Sequence, residues 1–292
     1  MEYLIHLAVL SSIFVILSLS LNLVLGYTGL ISLAHASFFG IGAYSIAILT
    51  TGFHINFFLA LLLGLLFSGV ASLIIGAVLS RFRGDFVAIG SVGFCIIMWS
   101  IFLNFEKLTR GPLGIPGIPR PTIGIMDYEF SFTSNQSFLL LTVVVTFLVY
   151  GISRYVTESS FGRTLKAIRE DEDALQVFGY RVVHYKLAVF VLGAMLASVA
   201  GALFASYVKF IDPSTFTLND SIFLLSAVIL GGLASNKGAV IGAVVLILLP
   251  EVLRFVGFPP DIAAQTRQAV YGLMLVVLML YRPQGLVGEY KL

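Results

Sequence analysis

From Tyr3 to Ser80 the chain carries no Asp, Glu, Lys or Arg. A stretch of that length has too little polar surface to stay folded in water. The rest of the sequence agrees: of 292 residues, 59% are hydrophobic and 11% charged, against about 25% charged in soluble domains. The chain has one cysteine, Cys95, and a net charge of +2. A disulfide scaffold, a disordered chain and a nucleic-acid binder are therefore excluded, and a membrane protein remains.

A bilayer core of about 30 Å takes about 20 apolar residues per helix. Apolar runs near 4–25, 30–50, 56–80, 86–105, 136–153, 187–208, 221–234, 238–256 and 267–281 predict about nine crossings, within a range of eight to ten. Lipid gives the backbone no outside partner, so these runs are expected to be helices. They lack the alternation of barrel strands. The fold class expected is all-α, a single polytopic bundle over 1–292 with a Gly/Pro-rich loop at 106–135 and a charged loop at 154–186. Met1-Glu2-Tyr3 has no cationic n-region, so the first helix is expected to stay as an anchor rather than be cleaved.

Cations set the orientation. Nine crossings put Arg81, Arg83, Arg154, Arg163, Lys166, Arg169, Arg181, Lys186, Lys237, Arg282 and Lys291 on one side, and Lys107, Arg110, Arg120, Lys209, Arg254 and Arg267 on the other. The richer side is expected to be cytoplasmic, with the N-terminus outside and the C-terminus inside. The corners Gly26–Gly29 and Gly231–Ser235 then share the inner side, as two parallel repeats would; chance is the competing explanation in a chain with 28 glycines.

The sixth run has small residues every fourth position on two ridges, Gly193, Ala197, Gly201, Ala205 and Ala194, Ser198, Ala202, Ser206. Such faces let helices approach closely in lipid, which predicts a central helix or a subunit contact. No Asp, Glu, Lys or Arg lies near the middle of a run, so a proton-coupled carrier has no carboxylate to work with. Asn22, Ser32, His35, Ser37 and Tyr44 are the candidate pathway residues; interhelical hydrogen bonding is their other role. Ser91 and Asn104 are two further polar positions within these runs that carry the same two readings. No H-E-x-x-H, C-x-x-C, G-x-S-x-G or G-x-x-x-x-G-K-[ST] pattern occurs, which leaves enzyme chemistry and nucleotide binding without residues.

Within 159–180 the cations precede the acids, an order that opposes the dipole of one continuous helix. Two short helices resolve it: one with Ser160 as N-cap and ending at Arg169, and one starting near Asp171 and stopping at Gly179. The second is expected to turn Ala174, Leu175 and Phe178 in one direction and to dock into a partner's groove, with a solvated loop as the alternative.

Several stretches resemble one family. Leu21-Asn22-Leu23-Val24-Leu25-Gly26-Tyr27-Thr28-Gly29 through Ala43-Tyr44, the Gly/Pro run Gly111 to Pro121, Gly162 to Gly179, and Leu230-Gly231-Gly232 through Val252-Leu253-Arg254 are similar, in order, to signatures of branched-chain amino acid ABC-transporter permeases of the LivM type. The resemblance implies an inner (plasma) membrane importer with no cofactor in this chain. ATP and Mg would be held by two ATP-binding partner subunits, beside a homologous permease in a heterodimer and an extracytoplasmic substrate-binding protein, within membrane lipid and without nucleic acid. It implies that Arg163, Arg169, Glu170, Asp171, Glu172, Asp173, Ala174, Leu175 and Gly179 couple the chain to the ATPases. Asp173-Ala174-Leu175-x-x-x-Gly179 keeps the spacing of the EAA-x-x-x-G loop, with Asp for Glu and Leu for Ala. Pro112, Gly114, Pro116, Gly117 and Pro119 are the residues implied for binding-protein docking. Urea, a short amide or another small polar solute is the alternative cargo; a self-contained sodium-coupled carrier or channel is the alternative class.

Overall fold

The computed structural model describes residues 2–82, 84–125, 128–255, 272–273 and 284–288. The expected ninth span at 267–281, apart from 272–273, and the cations Arg83, Arg267, Arg282 and Lys291 lie outside the described residues, as does the side chain of Arg254.

The elements run α1 (Glu2–Leu21), α2 (His35–Thr51), α3 (Phe57–Leu79), α4 (Asp85–Asn104), α5 (Glu106–Thr109), β1 (Ile115–Pro116), β2 (Thr122–Ile125), β3 (Tyr128–Ser131), α6 (Asn135–Glu158), α7 (Ser160–Glu170), α8 (Glu172–Val177), α9 (Val182–Val208), β4 (Phe210–Ile211), α10 (Leu218–Gly231) and α11 (Asn236–Phe255). The chain is an all-α polytopic membrane bundle. Among the described residues six helices are long and apolar enough to cross a membrane, and Asn236–Leu249 adds a shorter apolar helix. Each of the first eight expected runs contains a helix, but the second begins at His35, not near residue 30.

At the centre α9 packs on α2 with no room to spare. A Cβ at Gly42 would strike the Ser198 carbonyl, and one at Gly201 the Phe39 carbonyl. The two small-residue ridges of α9 are therefore buried almost end to end, the close approach that drives association in lipid. Large apolar side chains such as Leu62, Leu66 and Ile74 on α3, and Phe147 and Leu148 on α6, face outward, as a lipid boundary requires.

Contacts sort the connections to two ends. Lys166 lies over the Tyr27 ring at 5.6 Å, the Ala234 amide donates to Asn22 Oδ1 at 3.1 Å, and Asn236 bonds Ser153 at 3.0 Å and Thr157 at 3.2 Å. Both glycine corners and the charged loop thus share one end. At the other end the Gly/Pro run is not merely extended: β1 pairs antiparallel with β4, Ile115 opposite Ile211. The amides of Gly117 and Ile118 also donate to the Lys209 carbonyl at 3.0 and 3.3 Å. Beyond it β2 and β3 form a hairpin.

Candidate functional site

The break before α2 is the first part of the site. α1 continues into a π-helical turn, Asn22–Gly26, a wide turn often found at functional positions. After Thr28 the chain has no regular structure from 29 to 34, and helix resumes at His35. The imidazole of His35 lies beside Gly193, and Gly193 sits about 16 Å along α9 from Val182 at about 1.5 Å per residue. The non-helical segment is therefore at membrane depth, where backbone is tolerated only inside protein or along a water-filled cavity.

Serines from neighbouring helices satisfy part of this backbone. Ser91 on α4 accepts from the Leu33 amide at 2.9 Å, and Ser221 on α10 accepts from the Ala36 amide at 3.1 Å. Ser37 and Ser221 flank the buried thiol of Cys95. Ser91 stood among the polar positions of the runs. Ser221 and Cys95 carried no sequence signal, because their role exists only across helices. Exposure alternates along the segment as in an extended strand: Leu30, Ser32 and Ala34 are buried, while Gly29 and Ile31 are exposed, Ile31 at 38%.

Of the candidate pathway residues, Asn22, Ser32, His35 and Ser37 gather around the break, and all four are buried within the chain. Tyr44 lies farther along α2, stacked on Phe102 at 4.6 Å and beside Phe216 at 5.7 Å. Among the described residues Asn22 Nδ2 and Tyr44 Oη have no hydrogen-bond partner. An unpaired buried polar atom costs about 1–3 kcal/mol, a cost that a second packing arrangement, or water, would relieve.

The charged loop forms the second part. α7 is N-capped by Ser159, whose hydroxyl accepts from the Gly162 amide at 3.3 Å. The cap is thus one residue earlier than the expected Ser160, because Ser159 has the extended backbone a cap needs (ψ 173°) while Ser160 is already helical. Asp171 caps α8 by accepting from the Ala174 amide at 2.9 Å. Gly179 has φ +84°, a left-handed conformation open to glycine at little cost. The loop folds as two helices, yet its faces differ from expectation. Leu175 packs toward the core, while Val177 (87% exposed) and Phe178 (79%) project outward. Phe178 sits after the last turn of α8, so helical periodicity does not govern its direction.

Besides Lys166 on Tyr27, two polar contacts tie the loop to the bundle. Arg169 donates to the Gly26 carbonyl, and its side chain borders Gly29. Lys186 at the start of α9, 2% exposed, pairs with Glu172. Glu172 thus faces inward, whereas Glu170, Asp171 and Asp173 are exposed. Arg163 is exposed and donates to the Glu158 carbonyl at 3.3 Å.

At the opposite end Pro112, Pro116, Gly117 and Pro119 are exposed and Gly114 is buried. Gly114 (φ +67°) lies against the Ile211 carbonyl, so it shapes the loop rather than presenting a surface. Arg120 braces that loop through Asn135 at 2.6 Å and over the rings of Phe138 and Tyr207 at 5.6 and 5.9 Å. Asp220 closes a capping box with Thr217 at the start of α10. The spacing Thr217-x-x-Asp220 was a readable signal for that helix start.

The sequence matches the family described as branched-chain amino acid transport system, permease component, over residues 3–279. It is 33% identical to the high-affinity branched-chain amino acid transport system permease protein LivM of Salmonella typhimurium, covering 97% of this chain and 69% of that protein. It is 28% identical to the permease protein BraD of Pseudomonas aeruginosa, over 95% of this chain and 92% of that one. With the permease protein LivH of Escherichia coli it shares 24% identity, over 96% and 92%. No solved structure matches the chain.

Proposed function

The chain belongs to the branched-chain amino acid transport permeases, and on that premise we propose how it works as the membrane subunit of an ABC importer for aliphatic amino acids. Nine helices cross the membrane, with the N-terminus outside and the charged loop in the cytoplasm. The cation bias between the two ends supports this orientation. A homologous permease completes the pathway. Two ATP-binding subunits, which carry ATP and Mg, grip the charged loop, and an extracytoplasmic binding protein docks on the exposed prolines of the 106–135 loop.

The observation that carries the mechanism is the joint between the charged loop and the membrane break. Arg169 holds the Gly26 carbonyl, and Gly26 ends the π-turn that leads into the non-helical segment. Movement of α7 and α8 is thereby delivered to the part of the bundle that has most to gain from repacking. The exposed edge of that segment, Gly29 and Ile31, faces the solute path, and Asn22, Ser32, His35 and Ser37 stand behind it as polar partners for a transient carboxylate or ammonium group. The scarcity of fixed charge in the spans fits a pathway whose selectivity resides in the binding protein.

The test uses the complete transporter in proteoliposomes with Cys95→Ala as background. Ile31→Cys should react with a membrane-impermeant thiol reagent, faster or slower according to nucleotide state, while Leu62→Cys on the outward face of α3 stays unreactive. Equal protection of both positions would sink the pathway assignment. Leucine flux in liposomes holding this chain alone would favour the self-contained carrier instead, and uptake of urea or a short amide with the native binding protein would replace the cargo.

A further inference from the structure

Two cavities on the α6 side of the bundle share Tyr150. One, about 550 Å³, opens at the charged-loop end among Tyr27, Arg154, Lys166 and Lys237. The other, about 340 Å³, runs between α1, α6 and α11, with Val15, Val143, Phe147, Val240 and Val244 in its wall. Tyr150 lines both. Valines and Phe147 make up most of that wall, and two of its hydroxyls are engaged: Ser12 donates to the Ala8 carbonyl at 2.8 Å, and Thr146 to the Thr142 carbonyl at 2.8 Å. Its wall is therefore effectively apolar.

Charge and depth give the pair a direction. Three cations line the first cavity against one acid, Glu158, which is paired with Arg154 at 2.8 Å. From Tyr150 to Val143 the groove climbs about 10 Å along α6, away from the basic mouth and into the bundle's membrane-facing side. A cationic mouth at the end of the helices and an apolar groove at membrane depth, with Tyr150 in the wall of both, match the two halves of a lipid.

We propose that this composite site binds one anionic phospholipid from the leaflet on the charged-loop side. Its phosphate lies among Arg154, Lys166 and Lys237, and one acyl chain fills the groove between α1, α6 and α11. Because Lys166 also rests on Tyr27, the lipid braces α7 against the end of α1, beside the Arg169–Gly26 joint. The site requires no particular cargo and stands even if the transport reading fails.

The experiment takes the complete transporter through delipidation, exchange into nanodiscs of phosphatidylcholine with or without phosphatidylglycerol, and native mass spectrometry of the released complex. One phosphatidylglycerol per permease should be retained in preference to phosphatidylcholine. Lys237→Gln, an exposed position, should lower retention about fivefold, the weight of one cation at an anionic surface. Val143→Trp should lower it by filling the groove, and Leu62→Trp on the outward face of α3 should leave it unchanged. Should Val143→Trp fail to yield a monodisperse complex, the Lys237 variant decides alone. Equal retention of the two lipids, retention insensitive to Lys237→Gln, displacement by inorganic phosphate, or cross-linking of position 237 to an ATP-binding subunit in lipid-replete membranes would each overturn the assignment.

Discussion

The Arg169 guanidinium donates to the carbonyl of Gly26, 143 residues earlier in the chain. This contact joins the C-terminal turn of α7 to the end of the π-turn after α1, so a force on the charged loop reaches the non-helical segment without an intervening element. A charge-assisted bond of this kind contributes about 1.5–3 kcal/mol.

Arg169→Ala should therefore uncouple the transporter. ATP hydrolysis by the assembled complex persists while leucine uptake falls more than about tenfold. Vesicle uptake and phosphate release measured on one preparation would check it; parallel loss of both would mean that the residue serves assembly instead.

Lys186, buried at the base of α9, pairs with the half-buried Glu172. Lys186→Met alone leaves a half-buried carboxylate without its cation and should cost about 1–3 kcal/mol, read as a lower unfolding temperature in detergent. Adding Glu172→Gln should recover most of that loss, because neither remaining group then carries an unpaired charge.

Val177 and Phe178 project from the end of α8 with almost no support from the rest of the chain. Replacing both with Ser should leave the unfolding temperature of the permease unchanged and abolish co-purification of the ATP-binding subunits. Gly179→Ala, which forces a side chain into φ +84°, should weaken co-purification less, by about 1 kcal/mol. Normal uptake by the Asp173→Asn, Gly179→Ala double variant would refute the coupling role of α8.

Gly201 and Gly93 give a matched pair. A Cβ at Gly201 strikes the Phe39 backbone, whereas nothing lies within 4 Å of one at Gly93. Gly201→Ala should separate α2 from α9 and destabilise by at least about 1–3 kcal/mol. Gly93→Ala, in an open helical site, should be neutral or stabilising by up to about 1 kcal/mol. Thermal scans of the two purified variants would show the contrast.

Much of the architecture could be read directly. Hydropathy located a helix in each of the first eight apolar runs, the four-residue spacing of Gly193, Ala197, Gly201 and Ala205 pointed to α9 as central or as a subunit contact, and the charge order around Arg169 and Asp171 divided the loop into two helices. The break at 29–34 was not readable, since Leu30, Ile31, Leu33 and Ala34 are as apolar as any helix. The start at His35 depends on Ser91 and Ser221, which meet the freed amides from other helices. Phe178 misled for a related reason: it follows the last helical turn, where periodicity no longer holds.

The sequence by itself determined that this chain lives in lipid, which runs become helices and where the charge collects, because burial of apolar surface and satisfaction of the backbone are properties of local composition. Tertiary structure decided that Arg169 would reach Gly26, that Glu172 would turn inward to Lys186, and that Tyr150 would line two cavities. Those outcomes depend on how closely helices approach, and that distance is set jointly by residues far apart in the chain.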